Sequence, residues 1–172
     1  MKRFLLLIGI ITVIGLVACD DAGEAESVEK GEAEDEEKED EELDEEFEIG
    51  ETVELGDYHV TVTDVETDEG DEFDQPAEGK DFVLVSVKIE NNGDEDIDYN
   101  PYDFELENSN GQKGEIDIIT VRQDEQLQSG ELSPGGEVEG IVPFEEDAED
   151  DLKLHFTPNF LSDKKITFDI ND

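Results

Sequence analysis

The chain has 172 residues, of which 54 are Asp or Glu and 11 are Lys or Arg, giving a formal net charge of −43 at pH 7. A polyanion of that strength repels other polyanions, so nucleic acid is excluded as a partner. The lone cysteine, Cys19, allows no disulfide within the chain, and two histidines without Cys/His spacing offer no zinc motif.

In chain order, Lys2 and Arg3 precede an uncharged apolar run from Phe4 to Ala18. That run is shorter than the ~20 residues of a membrane-spanning helix and has the layout of a secretory signal. Its end, Leu16-Val17-Ala18-Cys19, resembles the lipobox of bacterial lipoproteins. The resemblance implies cleavage after Ala18 and a diacylglyceryl group on the Cys19 thiol. Residues 1–18 are therefore expected to be a lipoprotein signal peptide. Two acyl chains would hold the protein firmly in a membrane, since each buried CH₂ contributes about 0.8 kcal/mol. The expected location is extracytoplasmic, at the cell surface.

Residues 19–48 begin at Cys19 and continue as a run rich in Asp and Glu with few apolar side chains. Such a segment buries too little surface to offset the entropy of ordering it, which predicts a disordered, self-repelling linker.

From Ile49 the composition changes to short alternating apolar segments. "TVEL" and "YHVTVTDVE" read as strands, the second with Tyr58, Val60 and Val62 on one face. "KDFVLVSVKIEN" places Val83, Val85, Val87 and Ile89 on one face and Phe82 and Leu84 on the other, the pattern of a central strand covered on both sides. "YDFELEN" turns Phe104 and Leu106 inward and Asp103, Glu105 and Glu107 outward. "GEIDI", "GEVEGIVPFEE", "LKLHFTP" and "KKITFDI" repeat the two-residue rhythm. Turn signals separate them at Asn91-Asn92-Gly93-Asp94, Asn110-Gly111 and Ser133-Pro134-Gly135-Gly136. The fold class is all-β: residues 49–172 are expected to form an antiparallel immunoglobulin-like β-sandwich.

Three features carry a second resemblance. A Gly–x–x–Phe–Val entry leads to a long strand ending in Asn-Asn, and a Phe–x–Leu strand is closed by Asn-Gly. A Pro-Gly turn then precedes a strand ending in Phe. Together they resemble the telokin-like, immunoglobulin-fold domain of unknown function of many bacterial lipoproteins. The shared motifs are structural, so the resemblance implies a fold and an exported location and names no activity.

Few residues suggest chemistry. His59 and His155 alternate with apolar neighbours and are expected to face solvent. No nucleophile elbow or zinc-protease motif is present, so the chain is not expected to be an enzyme. Asp94, Asp96, Asp98, Asn100 and Glu105 have the 1-3-5-7-12 spacing of a calcium loop, although Tyr99 stands where the sharp turn wants glycine. The expected function is a membrane-anchored, monomeric, salt-adapted interaction module for an unknown protein or envelope partner. The alternatives are a passive envelope or surface-charge component and a weak Ca²⁺-binding module.

Overall fold

A computed structural model describes residues 45–158 and 164–171. The signal segment, Cys19 and nearly all of the acidic linker lie outside the described residues.

Eleven strands form three sheets among the described residues: β1 Glu46–Phe47, β2 Thr52–Leu55, β3 Tyr58–Asp68, β4 Asp81–Asn91, β5 Ile97–Tyr99, β6 Phe104–Glu107, β7 Lys113–Gly114, β8 Gly130–Leu132, β9 Glu137–Glu146, β10 Lys153–Phe156 and β11 Ile166–Asp169. One sheet runs β2-β3-β4-β9 and the other β1-β11-β10-β6-β7, with a β5-β8 ribbon beside them. All pairs are antiparallel except β1 with β11. The result is a β-sandwich.

The core lies between the two larger sheets. Val60, Val62, Val85 and Ile89 from one meet Phe104, Leu154, Phe156 and Phe168 from the other, all essentially solvent-free. Burying each such side chain contributes about 1.5–3 kcal/mol. β4 is central, as its pattern predicts. Its other face holds Phe82 and Leu84 in a second cluster with Ile119 and Ile141. β3 changes parity partway along: its pairing with β4 shifts between Val62 and Asp64, so Thr63 is an extra residue. That bulge turns Val65, an odd-numbered residue after the even-numbered Val60 and Val62, back onto the core.

The turn motifs have definite work. The buried Asn91 amide donates to the Glu95 and Leu132 carbonyls, at 2.7 and 2.8 Å, and its oxygen accepts from the Gly93 N–H. Asn108 likewise accepts from the N–H groups of Asn110 and Gln112.

Three expectations are corrected. The ordered fold starts before Ile49, because Phe47 packs on Phe168 with ring centroids 6.2 Å apart and Glu46 pairs with Lys153. "GEIDI" is not a strand: only Lys113–Gly114 pairs with β6. Beyond it the chain crosses to the other sheet, where the Asp117 N–H bonds the Pro143 carbonyl and Ile119 buries against Phe82 and Leu84. His155 is buried, not solvated, because side chains from β6 and β11 cover it.

Candidate interaction surface

Two loops beside β4 and β9 hold the most exposed large apolar side chains of the described residues. Phe73 is 86% exposed and Ile118 is 89% exposed. Neither is loose. Asp71 closes a turn around Phe73: its carboxylate accepts from the Phe73 and Asp74 N–H groups at 2.7 and 3.0 Å, and its own N–H bonds the Asp74 carbonyl. Gly70 permits this turn because a Cβ there would lie 2.2 Å from the Asp74 carbonyl oxygen. The second loop is held from below by Ile119 and by the Asp117–Pro143 bond. It is further fixed by the Gln126 amide on the Ile119 and Val121 carbonyls and by Arg122 on Glu66 and Glu125.

The Asp74 carboxylate ties the loops together by accepting from both the N–H and the hydroxyl of Thr120. Phe73 and Ile118 thus project from one pre-ordered platform. Sequence periodicity singled out neither: it read Ile118 only as part of the alternating segment "GEIDI". The available signals were an aromatic residue isolated between acids, and the run Ile118-Ile119, which breaks the two-residue rhythm.

The proposed calcium residues do not converge. Asp94 and Asp96 stay in an exposed loop, and Asp98 lies on β5, which pairs with β8 rather than wrapping an ion. The Asn100 side chain caps the turn Pro101–Asp103 by accepting from the Tyr102 N–H. Glu105 lies on β6, 3.6 Å from the Lys113 ammonium. Only Asp98 and Asn100 share a cleft, of about 530 Å³, beside Tyr99 and Glu131. Among the described residues no group of three or more His, Cys, Asp or Glu is arranged to hold a metal.

The histidines differ. His59 lies 3.6 Å from Glu54 on a partly exposed sheet face. His155 sits in a buried relay, with Nδ1 3.0 Å from Thr167 Oγ1 and Nε2 2.8 Å from Glu107 Oε2. Burial pulls the His155 pKa down against the opposing pull of Glu107, and the bond from His155 holds the Glu107 carboxyl below its ordinary range. With the ring neutral, Nε2–H donates to the carboxylate and Nδ1 accepts from the Thr167 hydroxyl. Thr167 is buried as well, which makes this relay a fastening between β6, β10 and β11.

The class of protein that this architecture defines is a β-sandwich domain, here with two braced loops beside β4 and β9. The chain is a member of the family described as "Domain of unknown function (DUF4352)", whose model matches residues 47–166. Its fold is similar to that of the yjhA protein of Bacillus subtilis, at 19% identity and a TM-score of 0.59, covering 73% of this chain and 99% of that one. It is also similar to the lipoprotein candidate ycdA of Bacillus subtilis, at 22% identity and a TM-score of 0.60. That match covers 70% of this chain and 38% of ycdA, so the chain spans well under half of that protein. Identities this low carry the fold alone. No curated protein matches the sequence.

No helix among the described residues is long and apolar enough to cross a membrane.

Proposed function

We propose that this protein is an extracytoplasmic lipoprotein, anchored through a diacylglyceryl group on Cys19, whose sandwich is a non-catalytic interaction module. The anchor reading is supported by the Leu16–Cys19 motif after a short apolar run, and by the likeness to a lipoprotein candidate. The acidic stretch after Cys19 acts as a spacer that holds the telokin-like domain away from the membrane, and the acidic surface adapts it to high salt.

The observation that carries the interaction reading is the platform. The hydrogen bonds hold the two loop backbones that carry Phe73 and Ile118, and a binding surface gains affinity from being ordered in advance. Proximity labelling from the domain on intact cells tests the reading. A discrete neighbour is the expected result. Uniform labelling of the envelope would refute it and favour a passive surface-charge component.

A further inference from the structure

The platform carries its own statement of partner chemistry. From Asp64 to Glu78 the chain holds eight acidic residues and no base. Asp71 and Glu72, immediately before Phe73, are exposed. Asp117 precedes Ile118, and Asp124 and Glu125 follow in the same loop. The nearby bases are already engaged: Lys80 donates to the Glu145 carbonyl and pairs with Glu146, and Arg122 is clamped between Glu66 and Glu125. What remains for a partner is two protruding apolar side chains beside exposed carboxylates, Asp71 and Glu72 among them, in a loop whose nearby bases are already paired with other acids.

We propose that the Phe73–Ile118 platform docks a cationic amphipathic polypeptide segment, one with apolar side chains on one face and Lys or Arg beside them. The inference rests on the interaction-module reading and adds the partner's chemistry to it. Apolar contact supplies most of the affinity, because Phe73 and Ile118 go from nearly full exposure to burial without any loop having to order. The surrounding carboxylates supply orientation and a fast approach, and they reject acidic or neutral segments by leaving charges unpaired. A lipid surface fits poorly, since the same carboxylates would be pressed against anionic headgroups.

Two synthetic peptides of equal length and charge test the proposal with the full chain in detergent at physiological ionic strength. One is a Lys/Leu peptide with its leucines on one helical face; in the other each Leu is replaced by Ser. The Lys/Leu peptide is expected to bind. The double variant Phe73→Ser/Ile118→Ser, whose melting temperature should match wild type because both side chains are exposed, is expected to bind it roughly tenfold or more weakly. Tyr102→Ser, an exposed aromatic outside these loops, should bind as wild type does. Equal binding of both peptides would reduce the attraction to charge and overturn the proposal. So would equal binding by wild type and the double variant, or no binding at all. A discrete neighbour in proximity labelling would leave the module reading standing through any of these failures.

Discussion

Glu107→Lys separates a surface carboxylate from a fastening. By alternation Glu107 belongs to the solvent face of β6, where a charge reversal costs less than about 1 kcal/mol. In the structure it accepts from His155, which in turn holds Thr167. The substitution removes a hydrogen bond to a charged group, a loss of about 1.5–3 kcal/mol. It also places an ammonium near Lys113, which lies 3.9 Å from the Glu107 carboxylate. Glu105→Lys, on the same strand, makes the same change in net charge and disrupts only the exposed pair with Lys113, worth about 0–1 kcal/mol. Urea unfolding at neutral pH and fixed ionic strength should therefore give about 2–3 kcal/mol of destabilisation for Glu107→Lys and under about 1 for Glu105→Lys. The pH dependence has a definite sign. The folded-state pKa of His155 lies below 6.5, so its contribution is present above that value and is lost as pH falls through it. Glu107, held below 4.5, loses its contribution in the same direction at lower pH. The stability gap between wild type and His155→Gln should narrow as pH drops from about 7.5 to about 5.5. Equal effects of the two Lys substitutions, or a gap that widens on acidification, would refute the relay.

Cys19→Ser should move the protein from the membrane fraction to the medium or to an uncleaved precursor, with loss of acyl label; a fully processed, membrane-bound variant would exclude the lipid anchor. Val85→Asp puts an unpaired carboxylate into the solvent-free core and should cost several kcal/mol of a total of about 5–15, enough to abolish cooperative melting. Residues 49–172 carry 36 acids against seven bases. The melting temperature should therefore climb between about 0.1 and 1 M NaCl, as the screening length falls from about 10 to about 3 Å. A flat response would remove the salt-adaptation reading.

What could be read from the sequence divides along a physical line. Periodicity reports how one strand alternates, so β4 was legible on both faces: its own residues, Phe82 through Ile89, contain the information. His155 was not, because whether the second face of β10 meets water depends on Glu107 and Thr167, which its neighbours β6 and β11 supply. The residues of the calcium spacing are not gathered in the structure for a related reason. A loop motif presumes that nothing else claims the backbone, and β8 claims β5 while Asn100 spends its side chain on a cap. Ile118 is the reverse case. Its apolar character argues for burial, and only the anchors around it, Asp117 on Pro143 and Thr120 on Asp74, make the burial of Ile119 and the exposure of Ile118 parts of one geometry. An exposed isoleucine in a slack loop carries no meaning. On a loop fixed at both of its flanks, the exposure is set by the fold, and it is relieved only by something beyond the described residues.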